Sequence, residues 1–211
     1  MNNNPFGSTV SSVKELRDIL GYPGELVKRK TIDHIDDHCT DFISKSPFLL
    51  ISSSDQNGFC DVSPRGDAPG FVHVIDEKHL LIPDRPGNRR VDSIENIITN
   101  PHIGILFLIP GLGETLRVNG KAYVVNDPNL LEVTEVKGKV PLLGIGIEVE
   151  ECFIHCAKSL IRSDLWNTDS WLASEELPSP AKILTDHVKS SKIREKEMEE
   201  MLEGSYKHEL Y

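Results

Sequence analysis

The chain has 211 residues, of which 33 are acidic and 23 basic, and its formal net charge is −10. This excess of negative charge argues against general nucleic-acid binding, because displacing counterions from phosphates requires surplus cations. The length allows one domain, or one domain with a helical appendage, and 38% hydrophobic and 27% charged residues are ordinary for a globular protein.

Nothing in the sequence indicates a membrane or secreted protein. The longest apolar run, residues 103–110, is far too short to cross a membrane. The first ten residues lack the basic start and apolar stretch of a secretory signal. Four cysteines are too few and too scattered for a disulfide scaffold. We therefore expect a cytoplasmic protein without a membrane partner.

Two helices are predicted in the first region, residues 1–45, which we expect to pack on the rest of the protein. The first helix has helically spaced apolar residues between positions 13 and 20 and ends at Gly21. The second has Asp33 as a candidate N-cap and ends before Pro47. Its apolar positions are Ile35, Cys39, Phe42 and Ile43.

The second region, residues 46–166, is rich in strands. Strands are predicted at residues 48–52, 59–63, 72–75, 79–83, 103–109, 115–125 and 142–149. One helix, at residues 91–98, interrupts the series and ends at Asn100 and Pro101. Closely spaced strands with short turns indicate an antiparallel barrel or sandwich rather than a parallel sheet.

The third region, residues 167–211, is predicted to be a C-terminal helical extension. The helical pattern begins near residue 152, and residues 181–202 alternate basic and acidic side chains. This alternation is typical of a solvated helix face with ion pairs four residues apart.

Residues 83–92 (PDRPGNRRVD) are the most informative stretch. A strand ends there, a Pro/Gly loop turns the chain, and a helix is predicted to begin near Asn88. Free N–H groups and the dipole at a helix start form an anion site, to which Arg89 and Arg90 add two cations in the predicted first turn. A bound phosphate would satisfy both features. Alternatively, the two arginines pair with Asp92 or Asp84, and the local pattern leaves both interpretations open.

Two further clusters offer polar groups on strands. Residues 61–67 (DVSPRGD) place the donors of Ser63 and Arg65 beside Gly66, although a plain polar turn also explains them. Residues 113–120 (GETLRVNG) place Thr115 and Arg117 on one face of an alternating strand, where exposure to solvent is the commoner explanation.

These three clusters, followed by CFIHCAK (152–158) and RSDLW (162–166), resemble the pyridoxamine 5′-phosphate oxidase-like family of FMN-binding split barrels. The resemblance extends over residues 32–166. It implies a mainly β (α+β) fold, namely a six-stranded antiparallel FMN-binding split barrel with flanking helices. It further implies an FMN flavoprotein and oxidoreductase whose partners are an unidentified small-molecule substrate or a nicotinamide reductant.

The resemblance also implies which residues contact FMN. Family members are homodimers with FMN at the subunit interface, so Arg162 and Trp166 are candidate contacts from the partner chain. The phosphate falls on Arg89 and Arg90, and the other positions line the flavin or its ribityl chain. The matched positions are Ser63, Pro64, Arg65, Ile82, Pro83, Arg89, Arg90, Thr115 and Arg117. No catalytic residue is assigned, because the cofactor itself supplies hydride chemistry.

One departure from the family leaves the reaction open. The chain ends in a charged helix and SYKHELY instead of the substrate-binding segment of true pyridoxamine phosphate oxidases, so the vitamin B6 reaction is not predicted. The alternatives are a non-catalytic flavin-binding or stress protein, and a haem-binding split barrel with a histidine ligand.

Two other groups could bind a metal, but each has a simpler explanation. His34 and His38 lie four apart on a predicted helix whose surface is partly exposed. Cys152, His155 and Cys156 form a C-x-x-H-C string, for which packing at a strand-to-helix junction is the simpler explanation. We therefore predict no metal site.

Overall fold

The computed structural model describes residues 4–189 and 193–211. Its centre is a seven-stranded sheet in the order β2-β1-β5-β6-β7-β4-β3, with antiparallel pairing throughout. The strands are β1 (Phe48–Ser54), β2 (Cys60–Gly66), β3 (His73–Asp76), β4 (His79–Pro83), β5 (His102–Leu108), β6 (Thr115–Val125) and β7 (Gly144–His155). The predicted mainly β split barrel is confirmed, with seven strands rather than six.

Helices precede, interrupt and follow the strands along the chain. They are α1 (Val13–Leu20), α2 (Glu25–Arg29), α3 (Asp37–Lys45), α4 (Asp92–Thr99), α5 (Pro128–Glu132), α6 (Lys158–Ser163), α7 (Pro180–Val188) and α8 (Glu195–His208). Within the described ranges, none of these helices is long and apolar enough to cross a membrane.

Alternation along the strands creates the core. In β5, Ile103, Ile105 and Phe107 are buried, whereas Leu106 and Leu108 lie on the opposite, partly exposed face. The buried faces of β1, β4, β6 and β7 contribute to the same apolar cluster. Where apolar area is removed from water on one face only, as in β5, this pattern fixes the register of the strand.

The N-terminal region makes uneven contact with this core. Phe42 and Ile43 of α3 are buried in it, and Asp36 caps α3 by accepting a hydrogen bond from the Cys39 N–H at 2.8 Å. The prediction of Asp33 as the cap is wrong, because its carboxylate instead pairs with Lys78 at 2.9 Å. In α1, no residue is buried, although its apolar spacing was correctly identified as helical.

Two further boundaries differ from the sequence predictions. β7 continues to His155 rather than stopping at residue 149, since β6 remains paired with it as far as Thr115. The charged C-terminal segment is divided into α7 and α8, which pack on each other, and residues 190–192 of the predicted helix lie outside the described residues.

Candidate functional site

A cavity of about 660 Å³ opens where β2, the end of β4 and the start of α4 meet. This volume is within the range of small-molecule sites. Its wall is formed by residues 61–66 of β2, Phe71, residues 83–93 from the end of β4 to α4, and residues 141–143 before β7. We call residues 84–91 of this wall the arginine loop, because three of its eight residues are arginines.

Both ends of the arginine loop are held by hydrogen bonds. At its start, the Asp84 N–H donates to the carbonyl oxygen of Leu143 at 3.0 Å. At its end, the buried Ser93 hydroxyl donates to the Asp61 carboxylate at 2.9 Å, which fixes α4 against β2. The loop is therefore tied to the sheet on both sides of the cavity.

The conformation of the arginine loop corrects one sequence prediction. The α-helix begins at Asp92 and not near Asn88, because Arg89 (φ 59°) and Val91 (φ 52°) have left-handed backbones that a regular helix excludes. Arg89 and Arg90 thus precede the helix, and Asp92 in its first turn suits the dipole. The N-cap residue of α4 is Val91, whose side chain cannot accept a hydrogen bond, so this helix end presents free N–H groups beside the two arginines.

Ion pairs account for several of the charges around the cavity. Arg65 pairs with Asp84 at 2.5 Å, and Arg85 pairs with Asp67 at 2.7 Å. Four arginines and three aspartates line the cavity, so its wall is slightly positive in an acidic protein.

Arg89 and Arg90 differ in whether an ion pair compensates their charge. Arg90 pairs with Asp92 at 2.5 Å, and the hydrogen bond and charge of Asp92 raise the pKa of Arg90. The alternative in which an arginine pairs with Asp92 therefore holds for Arg90. The other carboxylate considered, Asp84, pairs with Arg65 instead. Within residues 4–189 and 193–211, Arg89 has no ion pair, and it is exposed on the cavity wall.

Arg65 carries an unsatisfied donor. Its side chain is 17% exposed, and its Nη1 binds Asp84. Its Nε is buried and has no hydrogen-bond partner in the part of the chain that the structure describes. A buried donor without an acceptor is unfavourable, so this part of the site carries an uncompensated cost.

Six of the nine predicted FMN contacts line this cavity: Ser63, Pro64, Arg65, Pro83, Arg89 and Arg90. Ile82 is adjacent in the chain but is fully buried in the core, and it supports the wall from behind.

Thr115 and Arg117 lie away from this cavity within their own chain. The register places Arg117 opposite Leu106, Leu106 opposite Leu50, and Leu50 opposite Pro64. Three strand spacings therefore separate Arg117 from Pro64 at the cavity, or about 14 Å at roughly 4.8 Å per strand. Arg117 lies over the Phe153 ring at 5.6 Å, and Thr115 is buried at the start of β6.

The two candidate contacts from a partner chain lie beyond β7. Trp166 donates from its indole nitrogen to the carbonyl oxygen of Leu112 at 2.8 Å. Arg162 is exposed in the last turn of α6. Neither residue lines the cavity of its own chain.

Sequence reasoning missed part of the wall. Arg85 lies inside the recognised motif but was not selected, although its position between two prolines was visible. Residues 141–143 were partly assigned to a strand, and only the hydrogen bond from Asp84 to Leu143 reveals their place beside the loop.

The histidine and cysteine candidates do not form a metal centre. In the two described ranges, no group of three or more His, Cys, Asp or Glu residues is placed to hold a metal ion. Cys152 is buried with its Sγ 3.4 Å from the Sγ of Cys39, and this contact and burial raise the pKa of the Cys152 thiol. His155 and Cys156 are exposed, so the string is split between core and surface.

The sequence matches a family model described as pyridoxamine 5′-phosphate oxidase over residues 35–156, more than half of the chain. No curated protein sequence matches it significantly.

Several solved structures are similar to this chain at low identity. HupZ of Group A Streptococcus is 19% identical, with 57% of this chain and 93% of that chain covered and a TM-score of 0.47. General Stress Protein 26 of Bacillus anthracis is 15% identical, with 56% and 93% covered and a TM-score of 0.42. HutZ of Vibrio cholerae, a heme storage protein, is 12% identical, with 58% and 94% covered and a TM-score of 0.42.

Proposed function

The chain belongs to the pyridoxamine 5′-phosphate oxidase family, and from that premise we propose that it binds FMN in the cavity described above and acts as an FMN-dependent oxidoreductase on a small molecule. The observation that carries this proposal is the arginine loop. An exposed Arg89, a second arginine and an uncapped helix end meet on one cavity wall. Together they suit a dianionic phosphate group.

The rest of the wall suits a flat, partly apolar ring system. Pro64, Pro83 and Leu142 offer apolar surface, and the guanidinium of Arg65 lines the same cavity as a source of hydrogen-bond donors for a ring oxygen or nitrogen. Asp84 compensates the charge of Arg65 and weakens its positive field at the cavity. We therefore assign Arg65 a role in hydrogen bonding to the ligand rather than in attracting its charge.

FMN, when bound, supplies the electron and hydride chemistry, so the chain needs no acid or base of its own for that step. Its residues hold the phosphate, orient the ring and leave the open side to a nicotinamide or another small molecule. This division of labour is consistent with a cavity whose wall is rich in anion-binding groups.

The haem alternative is less well supported at this cavity. A haem iron is held by His, Cys, Met or Tyr. None of these residue types is present among the described residues of the cavity wall. The non-catalytic alternative requires the same flavin site and differs only in turnover.

We further propose a homodimer, supported by the outer face of the sheet. Pro64, Leu50, Leu106 and Arg117 form one row across β2, β1, β5 and β6 on the face that points away from the core. Neighbouring apolar side chains on that face are also exposed, Phe48 to 38% for example. An apolar face of this kind marks an interaction surface.

The symmetry of this row makes the dimer relevant to the site. A twofold axis between Leu50 and Leu106 would exchange the two ends of the row. Arg117 of the partner subunit would then lie over Pro64 at this chain's cavity. This arrangement would reconcile the family's assignment of Arg117 to FMN with its distance from the cavity within one chain.

Titration of the purified protein with FMN tests the central proposal. We expect quenching of flavin fluorescence with saturation at one FMN per chain, and bleaching of the bound flavin by NADPH or NADH without oxygen. Binding without bleaching by any reductant would support the non-catalytic alternative. A protein that ignores FMN but develops a Soret band with haem would contradict the proposal.

A further inference from the structure

The last residue of the sequence, Tyr211, lies beside the arginine loop and lines a second cavity with it. A second cavity, of about 520 Å³, lies between residues 87–89 of the loop and the segment after α8, and it is lined by Gly87, Asn88, Arg89, His208, Glu209 and Tyr211. Three of these residues also line the first cavity. Residues 87–89 of the loop therefore line both the cavity of the proposed ligand and the cavity formed with residues 208–211.

Four contacts hold Tyr211 in place. Its hydroxyl donates to the Asp67 carboxylate at 2.7 Å, and its backbone oxygen accepts from the Lys139 ammonium at 2.6 Å. The guanidinium of Arg85 lies 5.9 Å from the centre of its ring, and the ammonium of Lys137 lies at 4.6 Å. Cations over an aromatic face are attracted to it, so both the ring and the hydroxyl of Tyr211 contribute to holding this residue in place.

Asp67 links Tyr211 to the loop. Its side chain is only 2% exposed, and its second oxygen accepts from Arg85 Nε at 2.7 Å. Burial alone would raise the pKa of Asp67, but the bonds from Tyr211, the Ala68 N–H and Arg85 lower it overall. A buried carboxylate with these partners fixes Arg85, and Arg85 belongs to the arginine loop.

We propose that Tyr211 is a positioning residue that holds the arginine loop, through Asp67 and Arg85, in the shape that receives the FMN phosphate. The inference rests on the proposed function for the identity of the ligand, but not for the effect on the loop. Tyr211 does not touch the first cavity itself, so its effect is transmitted through the loop.

Hydrogen–deuterium exchange of the full chain without FMN tests this inference directly. Tyr211→Phe keeps the ring but loses the hydroxyl, and Tyr211→Ala loses both. We expect exchange in residues 84–91 to become about three- to tenfold faster in Tyr211→Phe, as loss of one hydrogen bond allows, and faster still in Tyr211→Ala. Exchange in β5 and β6 should stay unchanged. Tyr206→Phe is the matched control, since Tyr206 is 63% exposed on α8.

FMN affinity is the second readout. The same variants should raise the dissociation constant for FMN in the same order, with Tyr206→Phe unchanged. Unaltered exchange in residues 84–91 in both Tyr211 variants would overturn the inference. Exchange that becomes faster by the same factor throughout the sheet as in residues 84–91 would also overturn it, because the role would then be structural only. Should the wild type not bind FMN, the proposed function fails, while the exchange result still decides the role of Tyr211.

Discussion

Arg89 and Arg90 are neighbours in the chain but differ in what already holds their charge. Arg90 shares its charge with Asp92, whereas Arg89 has no ion pair in the described ranges and is exposed at the cavity. If a phosphate binds there, Arg89→Ala removes an uncompensated cation, and we expect the FMN dissociation constant to rise about 10- to 100-fold. Fluorescence titration at fixed ionic strength measures this effect.

The pair with Asp92 provides a second comparison. Arg90→Ala leaves the Asp92 carboxylate near the phosphate, so Arg90→Ala should weaken binding more than the double variant Arg90→Ala/Asp92→Asn. Arg29→Ala is a suitable control, because Arg29 lies on α2 with only a loose surface contact to Glu25 at 4.0 Å. Equal affinities in the wild type and Arg89→Ala would contradict the phosphate assignment.

The lowered pKa of Asp67 predicts how the stability of the fold depends on pH. Its pKa is lowered in the folded protein, so its contribution to stability is present above the unfolded value near 3.9 and is lost as pH falls through the folded value. Asp67→Asn should therefore lower the free energy of unfolding by roughly 1–2 kcal/mol at pH 7 and by clearly less at pH 3. Urea denaturation at both pH values measures the two differences.

The exposed Asp18 supplies the control, because its pair with Lys14 is a surface contact with both side chains mostly exposed. Asp18→Asn should change stability little at either pH. An Asp67→Asn penalty of the same size at pH 7 and pH 3 would show that the charge of Asp67 is not what stabilises the fold.

At the scale of elements, strands were easier to predict than the start of α4. The sequence located β4 and β6 at their observed bounds. For β6 the signal is alternation, because mainly one face is buried, whereas β4 is a short apolar run after the turn at residues 76–78, with residues 80–83 all buried. The start of α4 was placed too early because the left-handed backbones of Arg89 and Val91 leave no signal in residue propensities.

The candidate site shows the same division between local and distant information. The motifs located most of its wall, since these residues are near each other in the chain. The pairing of Arg65 with Asp84 joins residues 19 apart, and the separation of Arg117 from the cavity depends on the order of four strands. Neither the ion pair nor this separation can be predicted from the spacing of residues within one motif.

Gly120 shows how one residue lets two elements approach. The register of β6 and β7 shifts between Asn119 and Gly120, and a Cβ at position 120 would lie 2.1 Å from the carbonyl oxygen of Glu148. Backbone cannot yield as a flexible side chain does, so Gly120→Ala should destabilise the protein by about 2–4 kcal/mol or prevent folding. Denaturant unfolding monitored by circular dichroism checks this.

Gly204 on α8 is the matched control. A Cβ there would meet nothing within 4 Å, and its backbone is helical. Gly204→Ala should be neutral or stabilising by roughly 0.5–1 kcal/mol, because alanine favours helices. Equal stability of Gly120→Ala and the wild type would mean that the two strands do not approach as closely as described.

At the scale of the whole molecule, the net charge and the cavity select for one kind of ligand. A protein with ten excess negative charges repels nucleic acid, yet its cavity wall carries four arginines against three aspartates. A compact phosphate can reach such a local positive wall, whereas a long polyanion also meets the acidic surface around it. Small phosphorylated cofactors are therefore the ligand class that this distribution favours.

The proposed dimer predicts that each FMN site is shared between subunits. Arg89 and Arg117 would act on one site from different chains, so Arg89→Ala and Arg117→Ala should each weaken FMN binding as homodimers. When the two variants are unfolded together and refolded as an equal mixture, about half of the dimers are mixed, and each mixed dimer has one site with both arginines intact. About one quarter of all sites should then bind FMN with wild-type affinity, as flavin titration would show. Separately refolded variants, combined only afterwards and titrated at once, serve as the control. Recovery of no high-affinity sites would mean that both arginines act within one chain. Wild-type affinity in the Arg117→Ala homodimer would mean that Arg117 does not act on the site at all.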